Sequence, residues 1–438
     1  MHSYIIRRLL LMIPTFVGIS LIFFFILQLA PGGPLEQDIR QFSQNGQSDM
    51  GSGCDASQEL SPKTIEQLKK FYGFDRPIIE RYLLWLGLWP RHFHEKEISP
   101  GDSYRVHLSY AQRGIQKFEI QKWVRLVQDG NQLYIVESAI GGDFAFDNYV
   151  ELPRADKIKN WYPSRGWKII PIEEGKYRVY KQKLSGIIQG NFGVSYVFRK
   201  PVSEIIANKL PISAYFGLVG FLLSYFISIP LGIKKAVHHK SLMDTTSSIM
   251  VFIGYSIPGF ALGLLLLVLL AGSSFLNIFP LGGFHSLNWD ELSFFGKIID
   301  QVYHTILPII AWSIGSFATL TILMKNSLIE NLSQDYVRTA FAKGLSEKRV
   351  IMVHALRNSL IPIATNIGRV IGVIFAGSYL IEKTFNIAGL GLLSLNSLIF
   401  RDYPISLAFM VISTIIALIG NLISDIVYAT IDPRIRFK

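Results

Sequence analysis

Asp335-Tyr336-Val337-Arg338-Thr339-Ala340-Phe341-Ala342-Lys343-Gly344-Leu345-Ser346-Glu347-Lys348-Arg349 is a polar island between two apolar stretches, each too long for a helix of a water-soluble domain. Val337, Ala340, Phe341 and Leu345 recur at helical spacing while Arg338 and Lys343 fall off that stripe, which predicts a short amphipathic helix. Ser333 is placed to cap its start, with Asp335 in the first turn. Gly344 is placed to end it as a left-handed residue, and Ser346 with Glu347 to begin a second helix toward His354 and Arg357. Helix, glycine bend, helix suits a docking device outside a bilayer. It suits a solvated loop joining two spans equally well, and the flanking chain must decide.

Of the 438 residues, 50% are hydrophobic and 17% charged, with a mean hydropathy of +0.33. That is too apolar for an ordinary soluble protein of this length and too charged for one lying wholly in a membrane. A membrane protein with a substantial aqueous part satisfies both. The net charge of +11 does not point to nucleic acid, because the basic residues gather beside apolar runs rather than on a surface interleaved with stacking aromatics. The single cysteine, Cys54, excludes an intramolecular disulfide and a thiolate metal cluster.

Arg7 and Arg8 precede an apolar run from Leu9 to Ala30, long enough to cross a hydrocarbon core of about 30 Å at 1.5 Å per residue. A retained first span is expected rather than a cleaved signal peptide, since the run is too long and Pro31 follows the only candidate cut. Five more spans are expected near 211–231, 249–273, 305–323, 360–381 and 405–428. Lys234, Lys235 and Lys240, the basic excess from Lys325 to Arg357, and Arg434, Arg436 and Lys438 lie on one side of this scheme. The 274–304 loop holds Asp290, Glu291 and Asp300 against Lys297 alone. The positive-inside rule then puts the 325–358 loop, the N-terminus and the 429–438 tail in the cytoplasm.

Between the first two spans, residues 32–209 are far more than a connection requires. The stretch 62–88 reads as helix, with Ile65, Leu68, Phe71 and Tyr72 before Gly73, then Ile78, Ile79, Tyr82, Leu83 and Leu86 after Pro77. From about 90 to 182 the pattern becomes short alternating runs at 118–120, 123–127, 133–136 and 177–180, with turns at Asp129-Gly130-Asn131 and Glu174-Gly175-Lys176. A small extracytoplasmic β-rich module is expected there; its aromatic and basic residues form a binding face or simply its core and solvated surface.

Within the five-helix region 210–428, Gly254-Tyr255-Ser256-Ile257-Pro258-Gly259 opens the core of the third span, with Pro258 positioned to kink its helix. Gly368, Gly372 and Gly377 suit close packing. Arg369 sits inside the fifth span, where an arginine faces a cavity or partner, snorkels, or marks a different span boundary. Tyr255, Pro258 and Arg369 are therefore candidates for lining a translocation path. No metal-spaced His/Cys cluster, phosphate-binding GK[ST] loop, HExxH or GxSxG is present. The spans also lack the buried carboxylates or histidines of a proton relay, so energy for transport must come from another chain.

Several separated motifs resemble the membrane subunits of binding-protein-dependent ABC importers, in the oligopeptide and dipeptide permease family and specifically of the YejB type, associated with oligopeptide and microcin C uptake. They are Tyr4-Ile5-Ile6-Arg7-Arg8-Leu9-Leu10, Leu29-Ala30-Pro31-Gly32-Gly33-Pro34, Tyr72-Gly73-Phe74-Asp75-Arg76-Pro77, Gly190-Asn191-Phe192-Gly193-Val194-Ser195, Gly389-Leu390-Gly391, Arg401-Asp402-Tyr403-Pro404 and Asp432-Pro433-Arg434-Ile435. The resemblance implies an all-α polytopic membrane protein of six transmembrane helices, the type I importer permease fold, in a bacterial inner membrane. It implies a noncatalytic half that binds no cofactor itself, with ATP and Mg in partner subunits. The implied partners are a second homologous permease, two cytoplasmic ABC ATPases and an extracytoplasmic peptide-binding protein. By the same resemblance the opening stretch is the coupling loop that docks the ATPase, so Asp335, Val337, Arg338, Thr339, Ala340, Phe341, Gly344, Leu345, Ser346 and Glu347 are its expected docking residues. The family's Glu-Ala-Ala is Arg338-Thr339-Ala340 here, and the β-rich insertion departs from the family pattern. A membrane receptor or scaffold without transport activity is the alternative.

Overall fold

The computed structural model describes residues 2–36, 39, 65–66, 68–69, 72–110, 118–130, 132–138, 161–164, 166–173, 175–271, 275–365, 372 and 377–431. The chain divides into two compact units, Arg76–Asn191 and the remainder, Met1–Asp75 with Phe192–Lys438. In the larger unit α1 (His2–Leu29) comes first, with most of its large apolar side chains exposed, as a lipid-facing helix requires. Its start is tied to the chain's last helix, where Tyr4 Oη donates to Asp425 Oδ2 at 2.9 Å and the Arg8 guanidinium lies 3.0 Å from the same oxygen.

The Arg76–Asn191 unit opens with α2 (Ile78–Leu86), its aromatic Tyr82 and Trp85 buried. Among the described residues seven strands follow: β1 (Pro90–Ile98), β2 (Ser103–Tyr110), β3 (Phe118–Asp129), β4 (Gln132–Ser138), β5 (Trp161–Pro163), β6 (Trp167–Glu173) and β7 (Lys176–Leu184). They pair antiparallel in two sheets, ordered β1-β7-β6 and β2-β3-β4-β5. The alternating runs of the sequence lie within β3, β4 and β7. Ile98, Tyr104, Val106, Val124, Leu126, Ile135 and Val179 form one apolar cluster drawn from both sheets, the arrangement by which alternating strands bury one face.

One acid enters that interior. Glu137 on β4 accepts hydrogen bonds from the Ser164 hydroxyl and, at 3.1 Å, from Trp167 Nε1 on β6. Lys122 on β3 and Lys181 on β7 lie 3.5 and 3.6 Å from its oxygens. Burial works to raise its pKa, but the donors from Ser164 and Trp167 with the two ammoniums outweigh it and hold the carboxyl below the ordinary glutamate value.

The larger unit resumes with α3 (Val202–Val237), α4 (Leu242–Ser256), α5 (Gly259–Leu266, continued by a π turn Leu267–Ala271) and α6 (Phe294–Leu332). After α7 (Asp335–Ala342), the pieces Glu347–Arg349, Val350–Ala355 and Leu356–Ser359 run on as helix, the middle one π-wound. Then come α8 (Tyr379–Thr384), α9 (Leu390–Ile399) and α10 (Tyr403–Ile431). Among the described residues four helices are long and apolar enough to cross a membrane: α1, α3, α6 and α10. The helices of the expected third span meet at 95° rather than forming one rod. Ile257 is extended (φ −94°, ψ 120°) as a residue before proline prefers, and Pro258 supplies no N–H to continue α4. Of the expected fifth span, 360–381, residues 366–371 and 373–376 lie outside the described residues.

The bent pair wraps α6 so closely that a Cβ on Gly259 would sit 2.4 Å from the carbonyl oxygen of Ala311. α3 and α6 run along each other, joined by hydroxyl hydrogen bonds: Ser228 Oγ donates to the Phe317 carbonyl at 3.0 Å, and the hydroxyls of Tyr215 and Thr305 pair at 3.0 Å. Such bonds satisfy polar groups where water is excluded.

Candidate functional site

α7 is eight residues long, and only two of its side chains turn fully inward. Val337 and Ala340 join Ala236 of α3, Leu320, Met324 and Leu328 of α6, and Val350, Ile351, Ala355 and Ile363 in one apolar cluster. Leu345 packs against the edge of that cluster. Phe341, expected on the same stripe, is 45% exposed. An i, i+3 pair exhausts the inward arc of so short a helix, which leaves the i+4 aromatic on its rim. Asp335, Tyr336, Arg338, Thr339, Lys343, Gly344, Ser346 and Glu347 are exposed too. Together they form a surface with an aromatic pair and mixed charge.

The helix boundaries differ in one respect from expectation. Ser333 does not cap α7: still in helical conformation at φ −82° and ψ −6°, it donates its hydroxyl to the Glu330 carbonyl at 2.8 Å and closes α6. Gln334 precedes α7 with its carbonyl accepting from Val337 N at 3.0 Å. Within the helix Thr339 Oγ1 returns to the Asp335 carbonyl at 2.9 Å, and Arg338 lies 3.6 Å from the Asp335 carboxylate. Both charges of that pair are solvated, so its contribution is slight. Gly344 has φ +74° and turns the chain after α7. The following helix starts at Ser346, whose carbonyl accepts from Arg349 N and Val350 N at 2.9 and 3.0 Å.

Beside this surface lies a buried ionic cluster that local pattern does not announce. Lys235, 1% exposed near the end of α3, donates to Ser247 Oγ at 2.7 Å, Ser248 Oγ at 2.8 Å and the Asp244 carbonyl at 3.0 Å. The Asp244 carboxylate lies 3.3 Å from Lys235 Nζ and accepts from Lys325 Nζ of α6 through both oxygens, at 2.7 and 2.8 Å. Three helices are thereby pinned at one point. The only local hint is Ser241 three residues before Asp244: the serine caps α4 while Asp244 accepts from Lys240 N at 3.1 Å.

At the other end of α3, stretches far apart in sequence converge. Arg401 Nη2 donates to the Pro31 carbonyl at 3.0 Å. Buried Asp402 accepts from the Ser195 hydroxyl, Tyr196 N at 3.2 Å and Val197 N at 3.3 Å. Tyr72 meets Tyr196 edge to face with ring centres 4.9 Å apart. Near them Glu382, 1% exposed, accepts from Leu392 N at 2.6 Å and Ser213 Oγ at 3.2 Å, holding the N-terminus of α9 while Ser213 Oγ accepts from Leu390 N at 2.7 Å. Four of the motif stretches, those containing Pro31, Tyr72, Ser195 and Asp402, thus build one node. The Asp432-Pro433-Arg434-Ile435 motif lies outside the described residues.

Of the candidate path residues, Tyr255 is 58% exposed beside the 95° break and Pro258 forms the break itself. Arg369 lies outside the described residues. Among the described residues no three His, Cys, Asp or Glu side chains converge as metal ligands.

Residues 228–437 match the family model described as binding-protein-dependent transport system inner membrane component. The chain is 35% identical to the peptidoglycan transport system permease protein YejB of Agrobacterium fabrum, over 100% of this chain and 99% of that protein. It is 33% identical to the inner membrane ABC transporter permease protein YejB of Escherichia coli O157:H7, over the full length of both. It is 39% identical to the oligopeptide transport system permease protein AppB of Bacillus subtilis, over 61% of this chain and 82% of that protein. The chain therefore belongs to the ABC importer permeases of the oligopeptide and dipeptide group, in its YejB branch.

Proposed function

We propose that this chain is one of two pore-forming halves of an ATP-driven importer of oligopeptides and microcin C-like substrates. It pairs with a homologous permease, receives substrate from an extracytoplasmic binding protein, and takes its energy from two cytoplasmic ATPases docked on Asp335–Glu347. The observation that carries this reading is the seating of α7. Val337 and Ala340 share one apolar cluster with α3 and α6, while Tyr336, Arg338 and Phe341 face outward. A partner that grips the outer side moves the two spans with it, because a packed interior transmits displacement rather than absorbing it. ATP-driven closure of the ATPases then rocks the spans between inward-facing and outward-facing states. Tyr255 and Pro258, with Arg369, lie along the path so opened.

The test is co-purification of the assembled importer through a tag on this chain, with uptake measured in parallel. The double variant Arg338→Glu, Phe341→Ala is expected to lose the ATPases by an order of magnitude or more, as loss of an aromatic anchor and a charge at an interface does. The second permease should be retained. Gly344→Val forces a β-branched residue into a left-handed backbone; it is expected to abolish uptake with normal membrane abundance. ATPases retained at the wild-type ratio with uptake unchanged in both variants would sink the docking assignment. A wild-type chain that brings down no ATPase would favour a receptor or scaffold.

A further inference from the structure

The turn between α3 and α4 and the outer face of α4 make a surface of two chemistries set end to end. Lys234, His238, His239 and Lys240 are all exposed at the turn. Below them Lys235 and Lys325 share the single carboxylate of Asp244, so the buried cluster adds a net positive charge to the same place. Among the described residues neither Lys234 nor Lys240 forms a side-chain ion pair. The turn is rigid. Ser241 N bonds to the His238 carbonyl at 3.1 Å, Lys240 N to Asp244 Oδ2, and Lys240 is held at φ +64°.

From this turn an apolar stripe runs down α4: Leu242 is 85% exposed, Met250 76% and Phe252 67%, with Ile249 and Ile253 beside them. Leu242, Ile249 and Ile253 share one helix face, with Met250 and Phe252 on its two flanks and the exposed Thr245 and Thr246 between Leu242 and Ile249. From Leu242 to Ile253 the rise is about 17 Å at 1.5 Å per residue, close to half of a hydrocarbon core of about 30 Å. The stripe ends just before the break at Ile257 and Pro258, where α4 itself stops.

We infer that this surface is a binding site for an anionic phospholipid of the adjoining leaflet. Its phosphate sits on the Lys234–Lys240 turn and its acyl chain lies along Leu242, Ile249, Met250 and Ile253. Charge complementarity selects an anionic over a zwitterionic headgroup, and the length of the stripe matches one leaflet rather than a protein partner of arbitrary size. The site uses no residue of α7, so its failure would leave the transport reading untouched.

The experiment measures phospholipid retention by the purified, assembled importer, with native mass spectrometry after exchange into mixed phosphatidylglycerol and phosphatidylcholine nanodiscs. Wild type is expected to retain phosphatidylglycerol selectively. Lys234→Gln with Lys240→Asn, which keeps a residue that tolerates the left-handed turn, is expected to lower that affinity roughly thirtyfold and leave phosphatidylcholine unaffected. Lys200→Gln, a single charge loss beyond the far end of α3, is expected to change nothing. Leu242→Ser with Met250→Ser is expected to weaken retention without altering selectivity. Equal retention of the two lipids by wild type, or undiminished selectivity in the lysine variant, overturns the inference. So does displacement of the lipid by soluble glycerophosphate, which would make the turn a site for free phosphate. Loss of a protein subunit from the lysine variant with lipid retained would make it a protein interface.

Discussion

Asp244 is the residue whose environment is least forgiving. It is 4% exposed and answers two ammoniums from two other helices. Removing one partner of a buried charge pair costs about 3–5 kcal/mol because the remaining charges stay desolvated. Asp244→Asn is accordingly expected to lower the thermal midpoint of the detergent-solubilised protein by several degrees. Adding Lys325→Met should recover part of that loss, since coupled residues do not add; strictly additive midpoints would show that the lysine and aspartate do not act together. Lys325 is not visible locally, because the fold brings it to Asp244 from 81 residues further along the chain. At the opening stretch the reverse holds. Val337 and Ala340 were legible from spacing alone, and only Phe341 was assigned to the wrong side, because a helix of eight residues has room for two inward side chains.

At the scale of elements, long apolar runs announced α1, α3, α6 and α10, since length and apolarity are the quantities a bilayer selects. The break in the third span was half legible. Pro258 foretells a kink, whereas the 95° angle depends on how near α5 comes to α6, a tertiary fact. Gly259 marks that contact. Gly259→Val would drive its side chain into the Ala311 carbonyl, and overpacking of this kind costs about 1–3 kcal/mol or more. The expected outcome is poor membrane abundance or an altered angle, read as a changed distance between spin labels at Leu242 and Leu269. A variant with normal abundance and an unchanged distance would mean that the pair is not held by this contact.

At the scale of the molecule the two units are built on different patterns. The larger is organised by apolar length and by charge pairs at helix ends. The smaller is a two-sheet body with an acid at its centre, and its strands were only partly legible because three-residue runs such as Trp161–Pro163 carry little periodicity. Glu137 gives this unit a pH dependence of defined sign. Its folded pKa lies below the unfolded value, so its contribution is complete above the ordinary glutamate range of about pH 4.3 and fades as pH falls through the depressed value. Acid titration of Trp167 fluorescence, isolated as the difference from Trp167→Phe, should show a transition below that range. Glu137→Gln should remove it, and an unchanged transition would assign it to another group.

The neck of the smaller unit has an evolutionary consequence. Gln189 Nε2 donates to the Gly87 carbonyl at 3.1 Å, so the chain leaves the strands within hydrogen-bond reach of where it entered them. A segment with adjoining ends is a cassette: it can be gained, lost or exchanged without stretching what flanks it. Replacing residues 89–188 by a few glycines and serines is therefore expected to leave membrane abundance and pairing with the second permease intact. Collapse of both would show that the strands are needed to build the spans and are not cargo upon them.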